Sequence, residues 1–379
     1  MQDLPFFAPE VLEKIGYSRH SPREMSTAES PRVQQKKAAA TPSLDLSPEG
    51  KLGLYRQMLL IRRFEEKVAQ AFQQTKIKGF CHLYIGEEAV GVGTISTLDL
   101  SVDAVITAYR DHGHAIACGM DINACMAELF GKATGCSRGK GGSMHFFSKE
   151  KHFYGGHGIV GGQTPLGAGI AFAQKYNNTG GVTLCYLGDG AVNQGPFHEA
   201  LNLCALWKLP IVYIIENNEW SMGTSLARSS AGLPLVNRAD GYGMAGIIAD
   251  GMDIDDVREK TAEAVALARS ESMPTLMEIR TYRYKGHSMS DPGKYRPKEE
   301  VEKRQKSDPI EIYKAKLLAA KVTTVEALEK LDEELRALVQ VAYDFAENSP
   351  EPEIASLYED MLTPEDQIDE IPRGNYNHF

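Results

Sequence analysis

Long apolar runs are missing from this 379-residue chain. Stretches such as Leu209–Ile215 (LPIVYII) fall far short of the roughly 18 to 20 apolar residues of a membrane span. A membrane-embedded role is not expected. Positive charge is also scarce: 41 Lys and Arg against 51 Asp and Glu leave a net charge of −10. With no basic stripe carrying interleaved aromatics, a nucleic-acid partner is not expected either. The six cysteines contain no CxxC pair, so neither a zinc ribbon nor a dithiol redox motif is present. They read as reduced, buried or half-buried thiols of a cytoplasmic protein. The opening MQDLPFFAPEVLEK lacks the basic start and apolar core of a secretion signal, and it is too acidic for an organelle transit peptide. Internal repeats, coiled-coil heptads and the GxxxxGK[ST] phosphate loop are all absent.

What remains is ordinary globular composition, with 42% hydrophobic and 24% charged residues. Such a length buries a core without disulfide or metal staples. Residues 18–48 are rich in Ser, Pro, Ala and charge with little periodicity, and residues 1–45 balance six acids against six bases. Residues 1–45 therefore read as a flexible arm. The main domain is expected over residues 46–350, with a tail over 351–379.

Ser47-Pro48-Glu49 has the form of a helix start, Ser at the cap and Pro in the first turn. Short apolar runs then alternate with helical segments. Strands are predicted at Ala104–Ala108, Val182–Leu187, Ile211–Ile215 and Thr275–Thr281. Helices are predicted from Asp121 to about Phe130, over Phe197–Trp207 and over Asp256–Ser270. The strands at 182 and 211 flank a helix, so they are expected to be parallel with a right-handed crossover. Residues 298–347 read as charged helices with a solvated face. The fold class is α/β: a doubly wound, mainly parallel sheet with helical N- and C-terminal extensions.

Chemistry concentrates at strand ends. Residues 131–170 hold 12 glycines in 40 positions, a density suited to backbone lying against a ligand. Gly188-Asp189-Gly190 closes one strand and Glu216-Asn217-Asn218 closes the next. Ligands of open parallel sheets bind at such carboxyl ends. Asp189 and Asn218 then offer one carboxylate and one amide oxygen to one crevice. That sparse oxygen set suits Mg²⁺, which keeps positions for phosphate oxygens and water. The flanking glycines open the backbone to an anion. GDG and NN are separated by 26 residues, and together they match the thiamin diphosphate signature. Six of the ten histidines lie at 82, 112, 114, 145, 152 and 157, in no zinc-ligand spacing. His112 and His114 read as local hydrogen-bonding residues rather than proton carriers.

Seven blocks carry a resemblance: GFCHLYIGEEA (79–89), TAYRDHG (107–113), GKGGSMH (139–145), GIVGGQTPLGAGIA (158–171), GDGAVNQG (188–195), ENNEWSMGTS (216–225) and TYRYKGHSMSD (281–291). Over about residues 46–350 the chain resembles the alpha subunits of the pyruvate dehydrogenase component of 2-oxo acid dehydrogenase complexes. The resemblance implies thiamin diphosphate and Mg²⁺ as cofactors. It implies Asp189 and Asn218 as side-chain metal ligands, and Trp220 as a backbone carbonyl ligand where the family usually has Tyr. Tyr109 and Arg110 are implied to hold the diphosphate, with Gly190 and Ala191 giving backbone contacts to it. Gly158 and Val160 are implied to contact the aminopyrimidine. His82 and His287 correspond to active-site histidines.

The same resemblance implies oxidative decarboxylation of pyruvate and passage of the acetyl group to lipoyl domains of dihydrolipoyl acetyltransferase. The partner is a beta subunit in an α2β2 heterotetramer. That subunit is expected to supply the carboxylate that activates the cofactor, since Glu87 and Glu88 lie in a different motif. Branched-chain 2-oxo acid and acetoin dehydrogenase alpha subunits share much of the pattern and are the alternative. Ser288 and Ser225 correspond to positions phosphorylated in animal relatives; the third such position is lost, with Lys294 before Tyr295. Unmodified serines are the expectation here.

Overall fold

A computed structural model describes residues 45–359 and residue 361. The expected arm, apart from Asp45, and the tail from residue 362 lie outside these residues.

Six strands form one parallel sheet: β1 (Ala104–Ala108), β2 (Phe153–His157), β3 (Thr183–Gly188), β4 (Ile211–Asn217), β7 (Ala245–Asp250) and β8 (Thr275–Arg280). Between β4 and β7, β5 (Trp220–Ser221) and β6 (Thr224–Ser225) make a small antiparallel ribbon. The order across the sheet is β2-β1-β3-β4-β8-β7. After β1 the chain turns to one side; after β3 it turns to the other. The crevice at the carboxyl ends of β1 and β3 is therefore the switch point of the sheet.

The helices are α1 (Pro48–Gln73), α2 (Glu88–Ile95), α3 (His112–Ala117), α4 (Ile122–Leu129), α5 (Gln163–Tyr176), α6 (Gly195–Trp207), α7 (Leu226–Ser229), α8 (Ile254–Glu271), α9 (Lys298–Gln305), α10 (Pro309–Ala319) and α11 (Val325–Asn348). Strand alternation divides them between the two faces. Leu184, Tyr186, Val212 and Ile214 point into one core, which α1, α2, α4, α8 and α11 help to fill. Cys185, Leu187, Tyr213 and Ile215 point into the other, under α5 and α6. This period-2 split is what a doubly wound sheet requires of its strands. The α1 start is as expected: Ser47 caps it by accepting from the Gly50 amide at 3.2 Å.

Several elements were not foreseen, β2, β7 and α5 among them. β2 and half of β7 are glycine- or polar-interrupted, so neither reads as an apolar run. α5 lies inside the glycine-rich block, where Gly167 packs against Cys185 of β3. The solvated reading of the C-terminal helices also needs correction. α11 buries Leu328, Leu335, Val339, Ala342 and Ala346 against α1 and α4, so one face belongs to the core while its charges face outward. The thiols match expectation: all six cysteines are free, five buried and Cys136 half-buried.

Candidate active site

β1 ends by delivering Tyr109 and Arg110, β3 delivers Asp189, and β4 delivers Glu216 and Asn218. Together they wall a cavity of about 260 Å³ that also touches Glu87, Val160, Gly190, Ala191, Trp220, Arg283 and His287. A second chamber of about 540 Å³ adjoins it through Tyr109, Val160, Met222 and His287, and reaches His82, Gly158 and Ser288. All eleven residues singled out from the sequence thus line one two-chambered crevice.

Local backbone makes this possible. Gly190 lies against Ser221, whose hydroxyl a Cβ at position 190 would meet at 2.3 Å. The Ser221 hydroxyl donates to Asp189 at 3.1 Å and fixes that carboxylate. Glu219 adopts a left-handed φ of 71°, which turns the chain between Asn218 and Trp220. Such a conformation is held only where the surroundings over-determine it. Behind the crevice, the Glu128 carboxylate accepts four backbone N–H bonds, from Ser137 and Gly139 (2.8 Å each), Gly141 (2.7 Å) and Gly142 (3.0 Å). It thereby shapes the glycine loop leading to the second chamber.

Arg110 is an anchor as well as a cation. Its guanidinium donates to the carbonyls of Leu83 at 2.7 Å and His287 at 2.9 Å. Arg283, almost fully buried, donates to the carbonyls of Trp220 at 3.0 Å and Met222 at 3.3 Å. One lone pair of the Trp220 carbonyl is therefore used by a guanidinium. Burial, reinforced by the Arg110 charge, pulls the Arg283 pKa down. Two guanidiniums on one wall suit an anion of phosphate geometry.

The same cavity holds acidic groups. Burial pushes the Asp189 carboxyl up to about 6, against the pull of the Ser221 hydrogen bond. Burial also raises Glu87, opposed first by Arg110. A bound cation would reverse that pressure on Asp189.

The donor set fits a metal–diphosphate pair. Among the described residues no group of three or more His, Cys, Asp or Glu forms a protein-only metal cage. One carboxylate and one amide oxygen instead leave a hard cation open to phosphate oxygens. Buried Glu87 Oε2 and His287 Nδ1, neither with a hydrogen-bond partner, lie around the same space.

His82, Tyr109 and His287 cluster between the chambers. Ring centroids lie 4.6 Å apart for His82–Tyr109, 5.1 Å for His82–His287 and 5.6 Å for Tyr109–His287. Burial first, then the Arg110 charge, lowers His82 to about 2 and His287 to about 4. Both imidazoles are therefore neutral at physiological pH. The Nδ1 of each is buried without a partner.

Sequence reasoning missed Glu87, Glu216 and Arg283 in this wall. Arg283 stood in a quoted motif but without a strand-end position to mark it. Glu87 was set aside because its motif is distant in sequence; Gly86 brings it in. That glycine has φ 104°, and a Cβ there would meet the Tyr282 carbonyl at 2.3 Å. His112 and His114 do hydrogen-bond, but not locally. His112 Nδ1 bonds Glu65 Oε2 at 3.0 Å, and His114 Nε2 bonds the Tyr84 hydroxyl at 3.4 Å, with Glu216 Oε1 at ion-pair distance, 3.1 Å.

A switch-point crevice with strand-end oxygens and a cationic wall has the form of a thiamin diphosphate-type α/β site. The comparisons make the class specific. Residues 56–355 match the family described as dehydrogenase E1 component, and this chain belongs to that family. It is 51% identical over 348 residues to the pyruvate dehydrogenase E1 component subunit alpha of Rhizobium meliloti, covering 89% of this chain and 100% of that one. The Zymomonas mobilis protein of the same name is 49% identical over 334 residues, covering 86% and 94%. The somatic mitochondrial form of Sus scrofa is 48% identical over 314 residues, covering 82% and 79%.

Proposed function

We propose that this chain is the alpha subunit of a pyruvate dehydrogenase component, oxidising pyruvate with loss of CO₂ and passing the acetyl group to a lipoyl group of dihydrolipoyl acetyltransferase. The observation that carries the reading is the joining of Asp189, Asn218, Tyr109 and Arg110 in one cavity at the sheet's switch point. Substrate choice follows the relatives, which are named for pyruvate at about half identity; no feature of the crevice favours branched 2-oxo acids or acetoin.

In this reading Asp189 and Asn218 hold Mg²⁺, joined by the free lone pair of the Trp220 carbonyl. Arg110 and Tyr109 bind the diphosphate, with backbone of Gly190 and Ala191. Gly158 and Val160 bound the aminopyrimidine. Thiamin diphosphate, when bound, supplies the carbanion that adds to the 2-oxo carbon and the electron sink for decarboxylation. The protein's share is positioning and exclusion of water. His82 and His287, neutral by burial, offer uncharged nitrogens to the substrate carboxylate and carbonyl without adding a second cation beside Arg110.

The crevice is open on one side. Val160 lines both chambers yet is 43% exposed, and Ile159 beside it is 80% exposed. Leu166, Phe172 and Tyr176 of α5 and Leu206 and Trp207 of α6 extend an exposed apolar face of the kind that marks an interaction surface. We infer that a beta subunit covers it in an α2β2 assembly and contributes the activating carboxylate. No helix among the described residues is long and apolar enough to cross a membrane, and the free thiols suit a cytoplasmic location.

The test is purification of the tagged chain from its own cells, followed by ferricyanide reduction assays. Pyruvate, branched 2-oxo acids and acetoin are compared with and without Mg²⁺ and thiamin diphosphate. The expected result is a co-purifying second chain and a pyruvate-dependent rate that needs both cofactors. Preference for another substrate overturns the choice of pyruvate, and full turnover by the isolated chain overturns the shared site.

A further inference from the structure

Asn218 presents its metal-facing oxygen only if its amide is turned the right way round. An amide has no charge to settle this, since its oxygen and nitrogen ends are nearly the same size. Something fixed must choose.

In this structure that neighbour is Glu87. Its Oε1 accepts from Asn218 Nδ2 at 2.9 Å, while Asn218 Oδ1 accepts from the Trp220 amide at 3.3 Å. In its ionised form, which the adjacent Arg110 guanidinium favours, the Glu87 carboxylate accepts and does not donate. The nitrogen end of Asn218 must therefore face Glu87, and the oxygen end must face away. Glu87 is itself enclosed. It is 1% exposed, and its Oε2 lies 3.5 Å from Arg110 Nε. On one side Gly86 runs against the Tyr282 carbonyl. On the other, Glu88 accepts from Gly86 N at 3.0 Å and pairs with Arg62, which in turn reaches Asp308 at 2.9 Å.

We propose that Glu87 is a positioning residue for the metal site: it locks the Asn218 amide with its oxygen toward the cation and holds Arg110 alongside the diphosphate. The inference rests on the metal–diphosphate reading above. Second-sphere partners of this kind commonly change metal affinity by 10- to 100-fold.

The experiment is Mn²⁺ binding, as a spectroscopic substitute for Mg²⁺, by the intact assembly with thiamin diphosphate present, read by electron paramagnetic resonance of free Mn²⁺. Glu87→Gln keeps an acceptor and is expected to bind within about threefold of wild type. Glu87→Leu removes it and is expected to bind about tenfold or more weakly. Asn218→Asp sets two carboxylates against each other and is expected to bind poorly. The double variant Asn218→Asp with Glu87→Gln restores the amide–carboxylate pair in reverse and is expected to recover most of the affinity.

Circular dichroism confirms folding of each variant. If Glu87→Leu does not fold, the reversed pair decides, and failure to recover overturns the proposal. Unchanged binding in folded Glu87→Leu, with binding lost in Asp189→Asn, overturns the positioning role and leaves the metal reading intact. Unchanged binding in Asp189→Asn overturns the metal reading, and the positioning role with it.

Discussion

The imidazole of His112 and the carboxylate of Glu65 are both fully buried, 3.0 Å apart. The second nitrogen of His112 reaches the Ser143 hydroxyl at 2.9 Å, so the pair ties α1 to the glycine loop. Burial by itself would lower the His112 pKa. The charge and hydrogen bond of Glu65 outweigh it and raise the pKa above the ordinary value. A raised folded-state value contributes stability in full below the unfolded value of about 6.5, and loses it as pH climbs through the folded value. Removing one partner of a buried pair costs about 3–5 kcal/mol. His112→Ala should show that loss in urea melts at pH 6 and a smaller one at pH 9. Equal losses at both would mean a neutral imidazole.

His287 has the opposite sign. Its folded value is lowered, to about 4, by burial and then by Arg110. On acidification the unfolded chain takes up this proton first, so stability falls between about pH 6.5 and pH 4. His287→Asn should flatten that part of the profile. Urea midpoints at pH 7, 5.5 and 4.5 measure it; parallel profiles would refute the assignment.

Glu128 serves four amides at once. Glu128→Ala strands the N–H groups of Ser137, Gly139, Gly141 and Gly142, each of which loses its acceptor. A loss of about 2–4 kcal/mol is expected, limited by loop relaxation toward water. Hydrogen exchange at Gly139, Gly141 and Gly142 should accelerate about 100-fold while β3 and β4 remain protected.

Two glycines in the same chain should respond oppositely to alanine. A Cβ at Gly113 would stand 2.2 Å from Cδ1 of buried Tyr84, whereas nothing lies within 4 Å of one at Gly53. Gly113→Ala should destabilise by about 2 kcal/mol or more through overpacking, and it should disturb the Tyr84–Glu216 hydrogen bond. Gly53→Ala, inside α1, should stabilise by about 0.5–1 kcal/mol. Thermal melts of the two variants provide the comparison.

Sequence reading succeeded where one local rule sufficed. β1, β3, β4 and β8 are short apolar runs ending in polar residues, and their order alone put Asp189 and Asn218 in one crevice. It failed where tertiary context decides. β2 (FYGGH) is held between β1 and the glycine loop, where a Cβ at Gly156 would meet Asp111 Oδ2 at 2.0 Å; no periodicity announces such a strand. α11 looked solvated because its charges outnumber its apolar stripe. Glu87 was set aside because its partner Asn218 lies 131 residues away.

The place of β8 bears on how the chain can be made. β8 lies between β4 and β7, and β7 pairs with β8. A ribosome therefore delivers β7 before the strand that will hold it. Until residue 280 has left the exit tunnel, Ala245–Asp250 is an edge without a neighbour and β4 is open on one side. The loop carrying Arg283 and His287 emerges later still. Both walls of the crevice then close only after most of the chain has been translated, so a nascent chain stalled in α8 would hold Asp189 and Asn218 in place with no Arg283 or His287 facing them.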